Sequence, residues 1–383
     1  MDFRDTPAEH DFRIRFRRWL AEHAPREPIP VEPDARAAFL HAWHRRLHAA
    51  GHVGLSFPVE CGGQGLPPVY EAIFNDELGA AGAPPGPAFA HIANAIRLFG
   101  SDAQRARHLP PLLSSEIRWC QGFSEPGAGS DLASLATRAE PIESNGVVAR
   151  YRVTGQKIWT SEAVSADWCL LLARSEPGSR RHRGLSMLLV PMRTPGIDCR
   201  AIVTASGTRE FAEVFFDGAE VDAADRLGEP GQGWEIAMSL LGYERGPADI
   251  GWVSRFARTL RLLEDEARAG RLRTLPSLRA SLARAWVELR ALQVQVQRTL
   301  SRRADGSTPG PEGSIDKLLM TRTDQLLHRV MMDLRGAAPL LDAGLDLDLY
   351  FWSRAQSVFG GTSQIQRDIV AQRVLGLPRR PTS

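Results

Sequence analysis

VVARYRVTG (147–155), WCLLLARSE (168–176), LSMLLVPM (185–192), IDCRAIV (197–203) and FAEVFFDG (211–218) are the segments that decide the fold. Each is a short run of β-forming residues bounded by Gly, Pro, Asn or Asp, and five runs at such close spacing predict a small barrel or sandwich of about 100 residues. The β texture starts near residue 118 and stops at Gly228-Glu-Pro-Gly-Gln-Gly-Trp234. On both sides the period is helical. Upstream, Leu40, Trp43 and Leu47 recur at helical intervals between Pro33-Asp34 and Gly51. Downstream, Leu278, Leu282, Trp286, Leu289, Leu292, Val296 and Leu300 form a seam that must face other helices. Residues 315–335 carry a broader apolar stripe, and ADGSTPGPEGS (304–314) between the two is a loop by composition. The reading is a mainly α chain with a central β-domain. It places an N-terminal helical domain over 1–117, the β-barrel or sandwich over 118–228 and a C-terminal helical bundle over 229–383.

Composition narrows the function. A chain of 383 residues exceeds the roughly 250–300 that one core supports, in keeping with several packed units. The 47 basic and 45 acidic side chains leave +2, no electrostatic footprint for a polyanion, so a nucleic-acid partner is not expected. Cys61, Cys120, Cys169 and Cys199 show no short pair spacing, which argues against a disulfide framework or a zinc knuckle and suits a reducing cytosol. The first residues lack the unbroken apolar core of a signal peptide, and no window approaches the ~20 apolar residues of a membrane span. A cytoplasmic protein with no membrane partner and no metal is the expectation.

Four segments are candidates for chemistry. Trp119-Cys-Gln-Gly-Phe-Ser-Glu-Pro-Gly-Ala-Gly-Ser-Asp131 packs hydroxyls and glycines into one turn-rich run. Its backbone N–H groups, with Ser124 and Ser130, suit a polar ligand, although a plain Ser/Gly turn has the same composition. In Gly155-Gln-Lys-Ile-Trp-Thr-Ser161, Trp159 either walls one face of a flat ring beside the Thr160 and Ser161 hydroxyls or is a core tryptophan near a strand end. Gly242-Tyr-Glu-Arg-Gly246 offers Glu244, a general base if an apolar setting raises its pKa and otherwise a solvated or ion-paired carboxylate. Finally, Val358-Phe-Gly-Gly-Thr-Ser-Gln-Ile-Gln-Arg367 reads as a Gly-Gly turn into a helix start, either a site for a carbonyl or phosphate or simply a loop and its cap.

Together and in this order, FSEPGAGSD, GQKIWTS, EVFFDGAEV followed by LGEPGQGW, the Glu-Arg pair and FGGTSQIQR resemble the acyl-CoA dehydrogenase family over almost the whole chain. The resemblance implies an N-terminal helical domain, a middle β-domain and a C-terminal four-helix bundle, with FAD as cofactor. It implies that the Gln121–Ser124 segment, including Phe123, and the Ser124 hydroxyl donate to the pyrimidine edge of the flavin. Trp159 would cover the ring, and Thr160 and Ser161 would hold its N5 and O4 region. Gly129 and Ser130 would meet cofactor phosphate or the CoA portion, and Thr362 and Gln364 would also touch FAD.

The implied reaction removes the α-hydrogen of an acyl-CoA, or related acyl thioester, as a proton and the β-hydrogen as hydride to flavin N5, giving a trans-2-enoyl product. Some family members take the base from the residue before the Gly-Thr of the last motif. Here that residue is Gly360, whose N–H can still polarise the thioester carbonyl. Another branch uses the Glu of the Glu-Arg pair, which Glu244 matches, with Arg245 supporting substrate or packing. The family's Arg-x-x-Phe-Gly segment for the neighbouring subunit's FAD has no counterpart around 254–276. Comparable divergence is found in bacterial members acting on steroid side chains or pathway-specific thioesters, some built from two kinds of subunit of which only one bears the base. The resemblance therefore implies a homodimer, homotetramer or heterotetramer passing electrons to an electron-transfer flavoprotein. The alternatives are a flavin oxidase or monooxygenase on the same fold, or one subunit of a heteromeric dehydrogenase.

Overall fold

The computed structural model describes residues 4–30, 32–87, 90–243, 247–272, 275–303, 310–341 and 344–378. Helices α1 (Pro7–His23), α2 (Pro33–Ala49), α3 (Val69–Ala81), α4 (Ala90–Phe99) and α5 (Asp102–Leu113) come first. Strands β1 (Trp119–Gly122), β2 (Arg138–Ser144), β3 (Val147–Ser161), β4 (Trp168–Arg174), β5 (Leu185–Pro191), β6 (Ile197–Ile202), β7 (Phe211–Asp222) and β8 (Arg226–Leu227) follow. The chain ends in α6 (Gly233–Tyr243), α7 (Pro247–Arg268), α8 (Pro276–Arg303), α9 (Gly313–Arg335), α10 (Ala338–Leu341), α11 (Leu345–Ala355) and α12 (Ser363–Ile369). This is the helix, sheet, helix order that the hydrophobic periods predict. Among the described residues no helix is long and apolar enough to cross a membrane.

Contacts group the chain into two compact units that do not follow chain order. One is drawn from Pro28–Gly65 and Pro87–Glu244, the other from Met1–Glu27, Leu66–Gly86 and Arg245–Ser383.

The first unit is built on one eight-stranded sheet of order β6-β7-β3-β2-β4-β5-β8, with β1 parallel to β4. Along β4, Cys169, Leu171 and Ala173 enter one core cluster, while the alternate Leu170 and Leu172 are equally buried. A strand buried on both faces needs cover on both. On one side α6 packs across β4 and β5, with Ile236, Ala237 and Leu240 fully buried. In this unit His108 is buried edge-on against Trp119 and Trp168, whose rings stack 5.6 Å apart. Burial, with a smaller push from the Arg107 charge, lowers its imidazole pKa to about 4.

That shift carries a pH signature. The unfolded chain holds a proton on His108 below about 6.5 and the folded chain does not until about 4, so the stabilisation is complete above 6.5 and is lost as pH falls through this window. It amounts to about 3 kcal/mol. Urea unfolding of His108→Phe should show a flatter decline between these pH values than the parent; an unchanged slope would contradict the assignment.

In the second unit α8 packs against both α7 and α9, and α11 against α9. Phe256 and Leu260 of α7, Leu289 and Leu292 of α8, and Leu327 and Met331 of α9 share one buried cluster. The α3–α7 contact is set by two glycines. A Cβ on Gly79 would overlap the Gly251 carbonyl oxygen, and one on Gly251 would lie 2.7 Å from the Asn75 carbonyl oxygen. The helices therefore meet backbone to backbone. Arg13 joins α1 to α3 through Asp76 at 2.6 Å and Glu77 at 2.9 Å.

Candidate functional site

In the sheet unit, β1 delivers Gln121 and then the loop that starts at Phe123. The Gln121 side chain accepts or donates to His91 of α4, an imidazole that burial lowers to about 4 and so keeps neutral near pH 7. Pro126 and Gly127 form a tight turn closed by two hydrogen bonds between Glu125 and Ala128, at 3.1 and 3.0 Å. Gly129 and Ser130 are exposed beyond it. A Cβ built on Gly127 or Gly129 would meet nothing within 4 Å, which leaves the backbone of this turn open to a ligand.

Beside this loop β3 is bulged. Its pairing with β7 shifts between Lys157 and Thr160, and Trp159 has φ +59°. Strand periodicity would turn residue 159 toward the core, as it does Tyr151, Val153 and Lys157. The bulge instead aims the indole outward, 58% exposed and edge-on to Phe211. Trp159 is therefore not a core tryptophan. The two hydroxyls after it separate: Thr160 is buried, its Oγ1 without a partner among the described residues, whereas Ser161 is exposed.

Loop and bulge are bound together. The Ser124 carbonyl accepts from Ile158 N at 2.9 Å. Lys157 Nζ donates to the Phe123 carbonyl at 3.0 Å and to Glu125 Oε1 at 2.8 Å. Glu125 in turn accepts from Ala136 N at 2.6 Å and Thr137 N at 2.9 Å. Burial opposes the Glu125 carboxylate, but the Lys157 charge and these hydrogen bonds outweigh it and hold the carboxyl below its ordinary range. Neither Lys157 nor Glu125 was among the sequence candidates. The signal was available, because Lys157 shares the inward parity of Tyr151 and Val153 on a strand, a position that demands a counter-charge.

A second group of candidates lies in the helical unit. Gly360 and Gly361 take φ +60° and +85°, conformations that favour glycine, and turn the chain into α12. Thr362 caps that helix, its Oγ1 accepting from Ile365 N at 3.2 Å, while Gln364 is exposed. Gln366, also missed from sequence, is buried and donates from Nε2 to the Gly360 carbonyl at 2.9 Å. Lys317 of α9 steadies the preceding turn, donating to the Gln356 carbonyl at 2.6 Å with its ammonium 4.7 Å from the Phe359 ring centre. Glu244 and Arg245 lie outside the described residues.

The structure ties Phe123 and Ser124 to β3 just before Trp159, through Lys157 Nζ and Ile158 N, with Gln121 at the start of that loop and Gly129 and Ser130 further along it, and it places Gly360, Thr362 and Gln364 where the chain turns into α12. The first group fits a flavin: an outward indole for a flat ring, the Ser124 hydroxyl with no hydrogen-bond partner among the described residues, and an unobstructed glycine turn. Its one buried acid, Glu125, is already neutralised by Lys157.

Comparison with known proteins agrees along the chain. Sequence models of the acyl-CoA dehydrogenase N-terminal, middle and C-terminal domains match residues 6–116, 120–219 and 231–375. Acyl-CoA dehydrogenase IpdE1 of Mycobacterium tuberculosis is 40% identical over 385 residues, covering 96% of this chain and 98% of that protein. Acyl-CoA dehydrogenase FadE26 of the same organism is 32% identical, covering 86% of each. Among solved structures, a steroid ACAD, Tcur3481–Tcur3483, superposes with a TM-score of 0.86 at 28% identity, covering 99% of this chain and 100% of that one. The ChsE4–ChsE5 complex of Mycobacterium tuberculosis gives 0.82 at 29% identity, with 99% and 100% covered.

Proposed function

The chain belongs to the acyl-CoA dehydrogenase family, and from that premise we propose that it desaturates a steroid-bearing acyl-CoA to the trans-2-enoyl thioester with Glu244 as the base. As a member of that family it is an FAD-dependent oxidoreductase acting on acyl-CoA. The observation that carries the reading is the collinear match of all three domain models.

FAD, when bound, supplies at N5 the acceptor for the β-hydride. The chain supplies the rest. Trp159 would offer its face to the ring, Ser161 an exposed hydroxyl, and Ser124 a donor for the pyrimidine edge; donors there favour charge that builds up on reduction. Thr160, Thr362 and Gln364 complete the set we assign to the cofactor, with Gly129 and Ser130 at phosphate. A thioester α-proton is too weakly acidic for a free carboxylate, so the carbonyl must be polarised, a task we give to the Gly360 N–H. Glycine has no side chain to serve as base, and we assign that role to Glu244 by its resemblance to the Glu of the family's Glu-Arg pair, with Arg245 for substrate.

The steroid class rests on the similarity to the steroid ACAD. That structure and ChsE4–ChsE5 each join two named chains, and we infer an oligomer for this chain, with a second kind of subunit as partner. We place it in the cytoplasm, where its four free cysteines suit a reducing medium, with an electron-transfer flavoprotein as acceptor. Turnover of straight, branched, aromatic and steroidal acyl-CoAs with an artificial acceptor tests the substrate class. A steroidal thioester should give the highest kcat/KM; preference for a straight chain would remove the steroid assignment.

A further inference from the structure

We propose that the buried Lys157–Glu125 pair is a positioning device, one that sets the Ser124 hydroxyl and the Trp159 indole against the cofactor ring. The proposal rests on the FAD reading above. Lys157 has 0% and Glu125 7% of its side chain exposed, and their 2.8 Å contact joins three stretches of chain. Nζ holds the Phe123 carbonyl, and the carboxylate holds the Ala136 and Thr137 N–H groups. Thr137 Oγ1 returns a hydrogen bond to the Gln156 carbonyl at 3.4 Å, and Ile158 N closes the circuit on the Ser124 carbonyl. Ser124 is thereby fixed from both neighbours and through its own carbonyl. Its hydroxyl is the group left over.

The same circuit borders the β3 bulge. Ile158 N donates to the Ser124 carbonyl where the β7 pairing lapses between Lys157 and Thr160, and Trp159, next in the chain, takes the positive φ that sends its ring outward. Stability alone does not account for the pair. Desolvating two charges costs more than their attraction returns unless every remaining hydrogen bond is made, and two well-packed apolar side chains fill such a space at least as well. An apolar pair would not hold the Phe123 carbonyl or the 136–137 backbone. What the charges add is direction, and it is spent on the two groups facing the ring.

The test compares the wild type with Lys157→Met and with the neutral double variant Glu125→Gln/Lys157→Met, as full-length protein reconstituted with FAD. The double variant should fold, with a Tm a few degrees below the wild-type value for the unpaired Phe123 carbonyl. It should nevertheless bind FAD about tenfold more weakly, show an altered visible flavin spectrum, and lose kcat by about 10²-fold with KM for the thioester nearly unchanged. Lys157→Met, which strands the carboxylate, should be worse in every respect. A double variant with wild-type FAD affinity, spectrum and kcat overturns the proposal. So does one that does not fold, since the pair would then be structural. A wild-type protein that takes up no FAD overturns both this proposal and the cofactor reading, whereas FAD-loaded wild type with unaffected variants overturns the positioning role alone.

Discussion

Glu244→Gln is expected to yield folded, yellow protein that binds acyl-CoA and scarcely reduces its flavin. The amide matches the carboxylate in shape and cannot take a proton, so ground-state binding survives while the transition state loses its base. General-base removal costs on the order of 10²–10⁴-fold in rate, and with no side chain at Gly360 to substitute, the upper end applies. Glu244→Asp, which keeps the acid and shortens its reach, should fall between. Stopped-flow reduction under anaerobic conditions reads both rates. Wild-type bleaching in the Gln variant would move the base to another residue.

The second large effect is at Trp159, where function and stability are expected to part. The residue is mostly exposed and holds a positive φ that a bulky side chain disfavours, so the fold gains little from the ring and bears the strain of aiming it. Trp159→Ala should weaken FAD binding by about 2 kcal/mol, roughly 30-fold in Kd, from lost stacking. Trp159→Gly removes the conformational strain as well, and its FAD-free form should melt no lower than the wild type despite equally weak FAD binding. Titration with FAD and parallel melting curves decide it. A Gly variant that loses stability while keeping FAD affinity would make the indole a packing residue instead.

These two residues also mark how far the sequence could be read. The long helices were legible because their apolar stripes run unbroken: the stripe from Leu278 to Leu300 lies within α8, and residues 315–335 within α9. The strands were legible from β-forming runs between turn residues. The grouping of helices was not. An amphipathic helix has one apolar face whatever covers it, and nothing in α1 or α3 says that they belong with the C-terminal helices while α2, α4 and α5 belong with the sheet.

At the candidate site the loop glycines and hydroxyls announced themselves through composition, and Thr362 proved to be the helix cap its position suggests. The bulge at Trp159 was hidden, because positive φ at an aromatic residue contradicts local preference and is imposed by tertiary contacts. The Lys157–Glu125 pair was half legible. The inward parity of Lys157 calls for a counter-charge, but nothing local says that a carboxylate 32 positions away supplies it.

Anaerobic mixing of the FAD-loaded protein with a steroidal acyl-CoA tests the central claim most directly. The account predicts that the oxidised flavin spectrum is lost in a single turnover, with matching formation of a thioester two hydrogens lighter and unsaturated between its α and β carbons. Folded, FAD-loaded protein that keeps its oxidised spectrum with every member of the thioester panel would contradict it.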